Sequence, residues 1–208
     1  MNKIIYICVF ILILYTGNTF AKIYKIPPNL LKETEEKHAI FVKDPNSPEA
    51  IFELAMCFGY TGRIEKGWNM LKTIPIEYAP IATEKYERLS SENPTEWKHK
   101  FKLAFGYYFL KEREKSIAEF KKVLVLNPKH IWAMGFIALL EGEQNHVKET
   151  IQWCEKALKI EPNATAIHIL LAEACRRKGD YWQTLKHALI VGRLKTEEKI
   201  VYPSYEDK

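Results

Sequence analysis

Three prolines set the period of this chain. Pro94, Pro128 and Pro162 close the phrases Ser-Glu-Asn-Pro, Val-Leu-Asn-Pro and Lys-Ile-Glu-Pro, and each lies 34 residues from the next. A fixed period of this length with helical patterning inside it marks a stacked helix–turn–helix unit. One such pair of helices cannot bury its apolar face alone, so neighbouring pairs must stack to make a core.

The three segments agree in detail. Each opens with a helix in which a large apolar residue is followed by alanine: Leu103-Ala104, Ile137-Ala138 and Leu171-Ala172. A polar turn follows, then a second amphipathic helix with a small or short residue at Ser116, Thr150 and Thr184. Alanine lets the two helices approach closely, and the proline stops the second helix and starts the next pair. An earlier, irregular unit follows Pro48, with Leu54-Ala55 at the paired position, Gly62 in the turn and a second helix that ends at Pro75. Before Pro45, Glu33 to Asp44 reads as the second helix of a degenerate leading unit. Between Pro75 and Pro94 one more helix, from about Ile81 to Ser91, breaks the phase. The expected fold is therefore all-α with about ten helices, and no strand alternation or hairpin signal competes with it.

This arrangement closely resembles the tetratricopeptide repeat (TPR) family. The resemblance covers 95–195 and, less regularly, 46–75, and the turn Lys178-Gly179-Asp180-Tyr181 reads like the family's inter-helix turn. It departs at the family's first tryptophan position, where Lys100, Met134 and His168 stand. The resemblance implies a right-handed superhelical stack, an α-solenoid, whose concave face is lined by the first helix of each pair and binds extended peptides or helices. Matched position by position, the groove residues would be Phe101, Phe105, Tyr108 and Phe109, with Lys98 and Lys102 alongside. Trp132, Phe136 and Leu139 follow, with Glu143 at the end, then Ile169, Glu173, Arg176 and Arg177. The earlier unit would add Phe52, Glu53, Met56 and Tyr60. The Lys and Asn residues with which some family members grip a chaperone's C-terminal carboxylate are replaced by Phe101, Phe105 and Phe136.

Helical spacing supports the aromatic face independently. Phe101, Phe105, Tyr108 and Phe109 share one stripe, while Leu103, Ala104, Tyr107 and Leu110 lie on the other side. A helix apolar nearly all round is either buried on both sides or offers one face to a ligand. The sequence leaves both open: the helix at 81–91 or the segment Lys22 to Leu31 could cover the stripe, making it core. Arg176 and Arg177 would meet an acidic group on a partner, or simply solvate a helix end whose dipole favours positive charge.

The first 21 residues differ from the rest. Lys3 precedes an unbroken apolar run, Ile4 to Tyr15, and small residues stand at Thr19 and Ala21. That is the three-part pattern of a secretory signal peptide cleaved after Ala21. Twelve residues make a helix of about 18 Å, short of a ~30 Å hydrocarbon core; the rival reading is an uncleaved N-terminal anchor. The chain thus divides into a signal peptide (1–21), irregular TPR-like helices (22–93), three regular repeats (94–195) and a tail (196–208).

Export permits disulfides, but Cys57, Cys154 and Cys175 are an odd set, and a Cys154–Cys175 bridge cannot be judged from spacing. The formal net charge of +5 is dispersed, so no nucleic-acid partner is expected. No His-Glu-x-x-His, Gly-rich phosphate loop or Gly-x-Ser-x-Gly is present. Glu141, Glu143 and Glu173 are the only acidic grouping worth naming, and solvated carboxylates are commoner than an acid/base pair. The expected protein is not an enzyme and carries no metal or cofactor. It is a periplasmic or secreted module that holds a protein or peptide partner in an aromatic groove. The alternative is a self-associating scaffold that stacks through an uncapped C-terminal end, unless Ile200, Val201 and Tyr202 fold back over it.

Overall fold

The computed structural model describes residues 26–201. The signal-peptide reading and residues 202–208 lie outside them. Ten α-helices and no strand occur among the described residues: α1 (Pro28–Lys43), α2 (Pro48–Tyr60), α3 (Ile64–Leu71), α4 (Tyr78–Glu92), α5 (Trp97–Phe109), α6 (Arg113–Leu126), α7 (Ile131–Glu143), α8 (Val147–Ile160), α9 (Thr165–Lys178) and α10 (Tyr181–Val201). The all-helical stack expected from the repeats is the observed architecture.

The 34-residue period is written in the backbone bonds. After α4, α6 and α8 the capping amides of Asn93, Asn127 and Glu161 donate to Leu89, Val123 and Ala157 at 2.9, 2.8 and 3.0 Å. A tight turn then brings the amides of Glu96, His130 and Ala164 back to the carbonyls of Asn93, Asn127 and Glu161. The turns inside each pair repeat as well. Lys111, Asn145 and Gly179 hold equivalent places with φ of 63°, 64° and 84°. Each lets the next amide, from Glu112, His146 or Asp180, reach the carbonyl of Tyr107, Glu141 or Cys175 at 2.9 Å. A left-handed residue is how a helix ends and turns sharply, and glycine and asparagine adopt it at little cost. Lysine does so only with strain.

The paired alanines do what their size suggests. Ala104 and Ala138 are fully buried, and the Ser116 hydroxyl of α6 donates to the Ala104 carbonyl of α5 at 2.8 Å. The helix expected at about 81–91 is α4, slightly longer at both ends and packed along α5. His99 and Lys100 of α5 reach back to it, the first to the Leu89 carbonyl at 3.1 Å and the second to the Ser90 hydroxyl at 3.0 Å.

The C-terminus departs from expectation. The last helix does not give way to a tail at 196 that folds back through Ile200 and Val201; α10 continues without interruption to Val201. Thr196 to Lys199 contain no glycine or proline, so nothing in the covalent chain halts it.

Candidate interaction surface

The N-terminal unit, not an incoming ligand, covers the aromatic stripe. All residues of α2 from Ala50 to Tyr60 are buried, because α2 lies among α1, α3, α4, α5 and α7. The Tyr60 ring meets Phe101 at 5.5 Å and Trp97 at 5.4 Å, both edge-on. Phe101 is wholly buried and also packs edge-on to Phe120 of α6 and Phe136 of α7, at 5.3 and 5.7 Å. Phe105 closes the cluster against Phe136 at 4.7 Å. Trp132 is buried beneath the turn between α2 and α3. That turn depends on Gly62, whose φ is 85° and whose missing Cβ would overlap the Trp132 indole. Of the two readings open for the stripe, core is the one observed for Phe101, Phe105, Trp132 and Phe136. Burying a large apolar side chain is worth about 1.5–3 kcal/mol, so uncovering four of them for a partner would cost most of a domain's stability.

Charges lock the N-terminal unit over this cluster. Glu53 of α2 is buried and accepts from Lys102 of α5 at 2.8 Å and Lys37 of α1 at 2.9 Å. The Tyr86 hydroxyl of α4 donates to its other oxygen. Burial alone would raise the Glu53 carboxyl, but Lys102 and then Lys37 outweigh it and hold it below the ordinary value. Glu33 of α1 performs the same service one turn away, taking the Tyr60 hydroxyl at 2.8 Å and the Lys98 ammonium. Sequence matching placed Glu53, Lys98 and Lys102 in the groove; the structure shows them occupied by one another and by α1.

The rest of the expected groove is more open. Tyr108 and Phe109 are half-buried. The Tyr108 hydroxyl donates to Glu143 at 2.9 Å, and the Arg113 guanidinium reaches the other Glu143 oxygen at 3.1 Å. Leu139, Glu143, Leu170, Glu173 and Arg177 line a shallow cleft of about 110 Å³ between α7, α8 and α9. Arg176 grips Glu173 through two bonds of 2.7 and 2.8 Å. Arg177 shares that carboxylate and donates to the Gly142 carbonyl, both at 2.8 Å. Hydrogen bonds from Arg176, then Arg177, hold the Glu173 carboxyl at about 2. Arg176 holds Glu173 from outside the lining, so the charged groups around the cleft itself are Glu143, Glu173 and Arg177. Ile169, a matched groove position, is 45% exposed beside it.

The remaining candidates are structural. Glu141 pairs with His146 at 2.8 Å rather than with Glu143. Cys57, Cys154 and Cys175 are free, buried thiols, and burial, with Cys175 adding a smaller push, raises Cys154 to about 12. His168 bonds the Pro162 carbonyl and the His187 ring, each at 2.9 Å.

No protein-family model and no curated protein sequence matches this chain. Solved structures do. A crystal structure of MamA aligns with a TM-score of 0.54 at 14% identity, over 80% of this chain and 89% of that one. A second MamA structure gives 0.54 at 16%, over 85% and 87%. MamA from Desulfovibrio magneticus RS-1, residue 41 to its end, gives 0.50 at 13%, over 93% and 95%. The shared fold is the TPR-like helical solenoid. At these identities the likeness speaks for architecture alone. The extra surface that sequence matching missed is on α10, where Tyr181, Trp182, Leu185 and Leu189 are exposed; their spacing as one helical stripe is the signal that would have found it.

Proposed function

We propose that this protein is an exported, non-catalytic interaction module that holds a segment of a partner protein. The segment lies along the part of the concave face that its own N-terminal unit leaves open. Tyr108, Phe109, Leu139, Ile169, Arg176 and Arg177 make the contact. The observation that carries this reading is the break in burial along the matched groove positions. Phe101, Phe105, Trp132 and Phe136 are sealed, whereas Ile169 is 45% exposed, one residue from Leu170 of a cleft of about 110 Å³ whose charged lining is Glu143, Glu173 and Arg177. An apolar side chain of the partner fills the cleft, and an acidic residue beside it meets Arg176. Aromatic and arginine side chains are the types that dominate such contacts.

Export rests on the three-part N-terminal pattern, and intact mass of the protein recovered from its cells tests it: a chain beginning at Lys22 supports cleavage, and one that retains Met1 to Ala21 removes it. The binding reading is tested by capture from native extract with the parent and with an Ile169→Asp/Arg176→Glu variant, both shown equally helical by circular dichroism. A partner held by the parent and lost by the variant supports it. A partner held equally by both places binding elsewhere and ends this reading.

A further inference from the structure

We propose that the exposed face of α10 is a membrane-surface contact that takes an anionic lipid bilayer. The proposal goes beyond partner binding on the concave face and rests on other residues. Tyr181, Trp182, Leu185 and Leu189 are 75%, 73%, 52% and 66% exposed, a density of bare large apolar side chains found on no other helix among the described residues. At about 100° per residue they occupy, with Ala188 and Gly192, an arc of roughly 120°. Lys195 follows on one flank of that arc, and Arg193 and Lys186 on the other, all three exposed. The opposite side, with Leu194 buried and His187, Ile190 and Val191 half-buried, packs on α9.

The charge pattern selects the occupant. From Tyr181 to Lys195 the chain has no aspartate or glutamate. An apolar stripe with a tyrosine–tryptophan pair at one end and cations on both flanks is how a helix lies in a bilayer interface: the rings and leucines enter the acyl boundary, and the cations reach lipid phosphates. A second copy docking through the same face would set Lys186, Arg193 and Lys195 against their equals, which disfavours it. No described helix is long and apolar enough to cross a membrane, so the contact is lateral.

The test compares protein purified from its own cells with two variants that share its N-terminus, so any contribution from residues 1–25 cancels. Leu185→Glu/Leu189→Glu removes the apolar stripe, and Lys186→Gln/Lys195→Gln removes two flanking cations. Sedimentation with vesicles of mixed phosphatidylcholine and phosphatidylglycerol should show binding by the parent and its loss in the first variant. The second variant should bind about twenty-five-fold more weakly, at about fivefold per cation. Brominated lipid should quench part of the parent's tryptophan emission, and that quenched part should be missing in Trp182→Phe. Equal sedimentation of parent and both variants overturns the proposal. So does lipid-free, concentration-dependent association that the leucine variant abolishes, which would make α10 a protein contact.

Discussion

Acid should loosen this fold at a particular imidazole. His130 ends the turn between α6 and α7, and its Nδ1 accepts the Ala133 amide at 3.0 Å, capping α7. Its ring is buried against Trp97 at 4.6 Å and Phe101 at 5.4 Å. Burial pushes it down from 6.5 to about 4. The folded value lies below the unfolded one, so the stability tied to neutral His130 is fully present above about 6.5. It is lost as the pH falls from there through about 4. Each unit is worth about 1.4 kcal/mol, giving about 2 kcal/mol lost between about pH 7 and about pH 5 and about 3 kcal/mol by pH 4. Asparagine keeps a capping oxygen and does not titrate. Urea unfolding of the parent and of His130→Asn should show the variant less stable near neutrality, because ring packing is gone. The gap should shrink by about 2 kcal/mol near pH 5. Other titrating groups are common to both chains and drop out of the difference. A gap that is the same at both pH values would refute the reasoning.

Gly62→Ala should cost more than Gly179→Ala in a thermal or urea melt. Both residues have left-handed φ, worth about 1–2 kcal/mol, but only the Gly62 Cβ collides, with Trp132, while Gly179 has open space; equal losses would show that the indole moves away freely. Lys111→Gly should raise stability by up to about 1 kcal/mol, since φ of 63° strains a lysine; a lower urea midpoint would show that another contact of Lys111 outweighs the strain. Glu53→Gln leaves the buried Lys102 without its carboxylate and should cost about 3 kcal/mol in the same assay. A loss under about 1 kcal/mol, as at an exposed pair, would show that solvent reaches the site.

The regular repeats were legible because their signals are local. Helix stops at Pro94, Pro128 and Pro162, the Ala104 and Ala138 contacts and the left-handed turn at Gly179 are each set by a few adjacent residues. The cover over the stripe was not legible, because it is made by partners far apart in the chain. Glu53 and Lys102 each look like an ordinary surface charge in sequence, and nothing local says that they meet. One clue was present: Ala50 to Tyr60 is apolar nearly all round, as a helix enclosed by neighbours must be. The C-terminal helix was read short of Val201, although Gly192 lies inside it where a Cβ would meet nothing within 4 Å. Of the matched groove positions, sequence spacing correctly grouped residues on one helix face. It could not say whether that face met solvent, which depends on where α2 is laid.

The way α2 is laid also changes how the molecule should come apart. In an ordinary repeat array each unit touches only its neighbours, so the array melts piecemeal from its ends. Here Tyr60 rests on Phe101, the turn at Gly62 rests on Trp132, and Glu53 is tied to Lys102. Losing the first units strips the cluster at the heart of the later ones. Amide exchange of α2 should therefore keep pace with that of α5 and α7, with α10 opening well before them. The array has become a single cooperative block with one loose end.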